Sequence, residues 1–161
     1  MESDSGGKCA VFERIAHEAG IVIGHQLFTV TAFDAGAMQV QRVYSSDAAA
    51  YPVGGRKPKR DTEFGRQVLI GRQPLICEGD AAIARIFDDH ETIRGLGLHS
   101  SINAPVLNAD RCVGVLNFLM KGQRVTPNQM RAACRFATDA DVIAACRLIA
   151  RPTLAETPGG S

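Results

Sequence analysis

The sequence predicts an α+β sandwich: one antiparallel sheet with the terminal helices on one face and short helices and loops on the other. Three observations carry the prediction. Two pairs of apolar, β-rich runs, 26–34 with 37–45 and 99–107 with 111–119, are each joined by a short turn and read as hairpins. A helical stripe precedes the first pair and another follows the second. The middle of the chain holds only short apolar segments among glycine, proline and charge. Strand pairs bracketed by helices bury one sheet face under those helices, which leaves the irregular middle for the other face.

Each element has its own signal. Cys9, Phe12, Ile15, Ala16 and Ala19 recur at helical spacing over 8–20, with Gly20 as the expected stop. The strands 26–34 and 37–45 turn at Ala35-Gly36, and the stretch from Ser46 to Arg60 reads as a long loop. Asp61 or Thr62 caps a short helix carrying Phe64, Val68 and Leu69, ended by Gly71. "PLICE" at 74–78 is a short strand, and helical turns follow around Ile83–Phe87 and Asp89–Arg94, closed by Gly95-Leu96-Gly97. The second hairpin turns at Asn108-Ala109-Asp110. Thr126-Pro127 opens a helix expected to run unbroken to about residue 149, with Met130, Ala133, Ala137, Ala140, Ala144 and Leu148 on its stripe. Residues 1–7 and 151–161 are expected to be flexible tails around a domain at 8–150.

Bulk properties exclude several classes. A chain of 161 residues fits one domain, and 45% hydrophobic with 22% charged residues is an ordinary globular balance. A net charge of +1 offers no general attraction to nucleic acid or anionic lipid. The acidic N-terminus lacks the plan of a signal peptide, and no apolar run reaches the roughly 20 residues of a membrane span, so a cytoplasmic protein is expected. Five scattered cysteines without a CxxC pair point to reduced thiols rather than disulfides or zinc.

Alternation assigns faces in the second hairpin. Ile102, Ala104, Val106, Leu116 and Phe118 point to the helix side. Ser101, Asn103 and Asn117 point the other way, among Val113, Val115 and Leu119. Aliphatic walls with a few amides and hydroxyls suit a small-molecule pocket. Buried Ser and Asn also serve the backbone of packed loops, so both readings stand for these three residues. Under the pocket reading, Asn103→Leu leaves the fold largely intact; a lost protein partner would instead cost about 1–3 kcal/mol. Tyr44 is expected at the pocket rim, and Phe64, Phe87 and Ile93 as its apolar roof, with core packing as the alternative for each. "DDHE" at 88–91 lacks the spacing of a metal site, and "GRKPKR" at 55–60 reads as a solvated loop.

With these elements in view, "LFTVTAFD", "MQVQRVYSS", "PLICEGD", "IRGLGLHSSINAPVL" and "CVGVLNFL" resemble, in order and interval, the GAF domain. The resemblance spans about residues 8–150 and implies a GAF/PAS-like fold with a ligand pocket between the sheet and the middle segment. It implies a sensory, ligand-binding domain, free-standing here, that pairs as a homodimer through its terminal helices and acts through a partner signalling protein. Tyr44, Phe64, Cys77, Ile93, Ser101, Asn103 and Asn117 are the expected ligand-binding residues; no cofactor, catalytic residue or metal is named. The alternative is a thiol-dependent reductase similar to free methionine-R-sulfoxide reductase, using Cys77 or Cys112. That subfamily's cysteine pair has no counterpart in "DDHETIRGLGLHS", and turnover needs a second thiol to resolve a sulfenic intermediate. The bilin cysteine and the intact cyclic-nucleotide motif are missing as well. A structural interaction module is the third reading.

Overall fold

Alternation in the two central strands sets the layers of the molecule, which the computed structural model describes over residues 2–150. Strands β1 (Leu27–Asp34), β2 (Gln39–Ser45), β3 (Arg56–Pro58), β4 (Leu75–Glu78), β5 (Ser100–Asn108) and β6 (Arg111–Met120) form one antiparallel sheet in the order β3-β2-β1-β6-β5-β4. Register places Asn103 of β5 opposite Asn117 of β6, and Asn117 opposite Thr29 of β1. One transverse row of the sheet is therefore polar.

The face carrying Phe28, Val30, Ile102, Ala104, Leu116 and Phe118 packs against α1 (Glu2–Val22), α4 (Pro127–Phe136) and α5 (Ala140–Ala150). Phe12, Ile15 and Ala19 of α1 are buried, and complete burial of a side chain such as Phe12 contributes about 1.5–3 kcal/mol. The opposite face carries Leu119, Val115, Leu75 and Cys77. It is covered by a short π-helix (Gly65–Ile70), α2 (Asp80–Ile86) and α3 (His90–Gly95), through Phe64, Val68, Leu69, Ile83, Ile93 and Leu98.

Four expectations are corrected. The first helix begins at Glu2, where the sequence has no apolar period to mark it, and runs past Gly20. The reversal comes at Gly24, whose N–H reaches the Gly20 carbonyl and whose φ of +74° suits glycine. The C-terminal helix is not continuous: Asp139 Oδ1 accepts from the Asp141 and Val142 amides and starts a second helix. The interruption resets the helical phase, so Val142, Ala145 and Cys146 are buried while Ala144 and Leu148 face out. Finally, part of the expected loop 46–60 is an edge strand, with Gln39, Val40 and Gln41 paired to Pro58, Lys57 and Arg56.

Local signals hold elsewhere. Thr126 Oγ1 accepts from the Gln129 amide while Gln129 Oε1 accepts from the Thr126 amide, a capping box with Pro127 at the first turn. Thr62, rather than Asp61, caps the helical turn before Gly65. The turn of the second hairpin places Ala109 at φ +60°. The expected tail at 151–161, and Met1 with it, lie outside the described residues.

Candidate functional site

The polar row forms the floor of a cavity. Asn117 Nδ2 donates to Thr29 Oγ1 at 3.1 Å, which turns Asn117 Oδ1 toward Asn103. Asn103 Nδ2 donates to that oxygen at 2.8 Å. The direction of this chain leaves Asn103 Oδ1 as its free end. It is fully buried and has no hydrogen-bond partner among the described residues. Asn103 therefore serves a protein partner with its nitrogen and leaves its oxygen without one, on a residue that lines the cavity.

The cavity has a volume of about 50 Å³, room for a few water molecules. Phe64, Phe87, Ile93 and Leu119 supply its apolar wall, with Phe64 and Phe87 edge-on at 6.3 Å between ring centroids. The rest of the lining is charged: Arg42 from β2, Lys57 from β3, Lys59 just beyond it, Tyr51 and Asp89. The Tyr51 hydroxyl donates to Asp89 Oδ2, which Lys57 Nζ approaches at 3.6 Å and Arg42 Nη2 at 3.8 Å. Arg42 stacks its guanidinium 3.9 Å above the Tyr51 ring and donates through Nη1 to the Pro52 carbonyl at 2.8 Å. Lys59 Nζ lies 4.9 Å over the Phe64 ring and has no ion pair among the described residues. Burial, with the charge of Lys57 beside it, pushes the Lys59 ammonium below the usual lysine range. Burial and the bond to Asp89 push the Tyr51 hydroxyl up, so it remains a donor at any working pH.

Of the seven expected site residues, Phe64, Ile93, Asn103 and Asn117 line this cavity, and so does Phe87. Tyr44 does not. It lies on the helix side of the sheet, 5.8 Å from Phe12 and 5.9 Å from Phe28 between ring centroids, because the strand shifts register between Val30 and Thr31. Tyr51, seven residues on in the expected loop, is the tyrosine that lines the cavity, beside Phe64 and Phe87. Ser101 and Cys77 face each other across β5 and β4, buried one repeat along the same face, and neither lines the cavity.

Burial pushes the Cys77 thiol up, offset in part by the Ser101 hydroxyl, and pushes the Cys112 thiol up to about 11. Both are protonated at neutral pH, and Cys112 donates to the Gly114 carbonyl. Sequence reasoning missed Arg42, Tyr51, Lys57, Lys59 and Asp89. Alternation of Lys57 and Lys59 about Pro58 was the available signal, and "GRKPKR" is only in part a solvated loop. Of "DDHE", Asp89 turns into the cavity, and among the described residues no group of three or more side chains is placed to hold a metal.

A six-stranded antiparallel sheet with terminal helices behind it and a covered cavity in front defines an α+β sandwich domain. Residues 9–142, most of the chain, match the family pattern described as the GAF domain, and the chain belongs to that family. Solved structures agree in fold. The GAF domain/HD domain protein from Geobacter sulfurreducens superposes with a TM-score of 0.72 at 14% identity, over 90% of this chain and 98% of that one. The GAF domain of a two-component sensor histidine kinase from Bacillus halodurans gives 0.69 at 14% identity, over 87% and 93%. The GAF-B domain of DevS from Mycobacterium smegmatis gives 0.61 at 23% identity, over 88% and 94%. No curated protein sequence gives a match. No helix among the described residues is long and apolar enough to cross a membrane.

Proposed function

We propose that the protein is a small-molecule-binding sensory domain whose ligand enters the cavity over β1, β6 and β5 and hydrogen-bonds to Asn103 and Asn117. The observation that carries this reading is Asn103 Oδ1, a fully buried acceptor on a residue that lines the cavity, with no hydrogen-bond partner among the described residues. A buried polar atom left unmet costs about 1–3 kcal/mol, a cost that a ligand donor or an ordered water removes. Native mass spectrometry of freshly purified protein tests it. A retained small molecule, lost in Asn103→Leu, supports the reading. An empty protein whose melting temperature no metabolite panel raises overturns it and favours an interaction module.

The ligand state is relayed in the cytoplasm through a partner signalling protein and through pairing of two copies along α1 and α5. Exposed Ile21 and Val22 on α1 and Leu148 on α5 support the pairing. A mass near 17.2 kDa by light scattering at micromolar concentration would overturn it.

A further inference from the structure

We propose that Arg42, Tyr51 and Lys57 form a carboxylate-binding end of the cavity, and that Asp89 fills it as an internal stand-in which a small apolar carboxylic acid displaces. The inference rests on the ligand-binding reading above and specifies the ligand's class. One carboxylate serves three groups at once through Oδ2. It takes the Tyr51 hydroxyl, but its ion pairs, at 3.6 Å to Lys57 and 3.8 Å to Arg42, are looser than the 2.7–2.9 Å of a charge-assisted bond. Arg42 makes no fork with it, and Arg42 Nε is buried without a hydrogen-bond partner among the described residues. Lys59 adds a third cation to the same wall. Three cations thus line the cavity with one carboxylate among them, Asp88 acting on Lys59 from outside the lining, and a better-seated carboxylate would improve on the loose pairs of Arg42 and Lys57.

The rest of the lining describes the rest of the ligand. Phe64, Phe87, Ile93 and Leu119 fit a short hydrocarbon body, and Asn103 Oδ1 fits a donor on it. Position gives displacement a consequence. Asp89 sits between α2 and α3, in the segment that covers the cavity, and its carboxylate ties that segment to β2, β3 and Tyr51. A ligand carboxylate that takes these partners unties the cover, so that binding changes the surface around residues 87–95.

The test uses butyrate and butyramide, which share a shape and differ in charge, titrated by calorimetry into the wild type, Asp89→Asn and Asp89→Ser. Butyrate is expected to bind the two variants at least tenfold more tightly than the wild type, butyramide to gain nothing, and Lys57→Gln in the Asp89→Asn background to reverse the gain. In the wild type, saturating butyrate is expected to raise amide hydrogen exchange over 87–95. Equal binding of butyrate and butyramide overturns the carboxylate end while leaving a ligand cavity in place. Tightening without a rise in exchange overturns displacement. No butyrate binding by either variant overturns the inference, and the sensory reading then depends on its own mass-spectrometric test.

Discussion

Removing either amide of the buried pair separates what each contributes. In Asn117→Leu, the fully buried Asn103 Nδ2 loses its one acceptor among the described residues, and Thr29 Oγ1 loses its donor. One net hydrogen bond at about 1 kcal/mol plus one stranded donor at about 1–3 kcal/mol gives an expected loss of roughly 2–4 kcal/mol. In Asn103→Leu, Asn117 Oδ1 is stranded instead, but the variant also deletes the unmet Asn103 Oδ1. The two effects oppose each other, and the expected loss is only about 1 kcal/mol. The double variant strands neither amide and adds apolar area beside Phe64 and Leu119, so it should cost no more than about 1 kcal/mol. Urea denaturation of the four proteins closes the cycle. For a chain of this size each kcal/mol is also worth about 2–4 °C in Tm. The expected coupling is about 2–4 kcal/mol, with the double variant more stable than the sum of the singles. Additivity within about 0.5 kcal/mol would refute the argument, because it would mean that the two amides do not depend on each other.

Three further outcomes are expected. Gly114→Ala should destabilise by about 1–3 kcal/mol in thermal denaturation, because a Cβ there would lie 2.8 Å from the Thr31 carbonyl oxygen and 2.9 Å from Cys146 Sγ; an unchanged Tm would refute the close approach. Burial holds the His25 imidazole below its ordinary 6.5, and the ring packs on Phe28 and Phe118. The unfolded chain therefore takes up that proton first, so His25 costs nothing above about pH 6.5 and lowers stability as pH falls below it. Melting curves from pH 7.5 to 5 should be flatter for His25→Asn, and identical slopes would count against the assignment. With a thiol reagent at pH 8, exposed Cys9 should react first, and buried Cys77, Cys112 and Cys146 should react only as fast as the fold opens. Labelling of Cys112 at the rate of Cys9 would contradict its burial.

Local pattern determined most of the architecture. Period-two alternation in 99–107 and 111–119 assigned the faces that the structure shows, since a strand has only two sides to offer, except at Val113, which the register shift between Val106 and Leu107 turns to the helix side. Thr126-Pro127 and Thr62 announced their helix starts because a cap is satisfied within three residues. The same logic selected Asn103 and Asn117 as polar residues on a dry face.

Tertiary structure alone decided the rest. Whether the C-terminal stripe was one helix or two turned on whether the Asp139 carboxylate faced solvent or turned back to the Asp141 and Val142 amides, where it also takes Arg14 at 3.1 Å. Tyr44 lies away from the cavity and Tyr51 lines it because of a register shift between β1 and β2 and the fold of 46–54, neither of which local pattern announces. The charged end of the cavity joins Arg42, Tyr51, Lys57 and Asp89, three of them from segments that read as loop or short helix. No periodicity marks such a cluster, because its members become neighbours only when the sheet edge and the segment between α2 and α3 close over the same apolar floor.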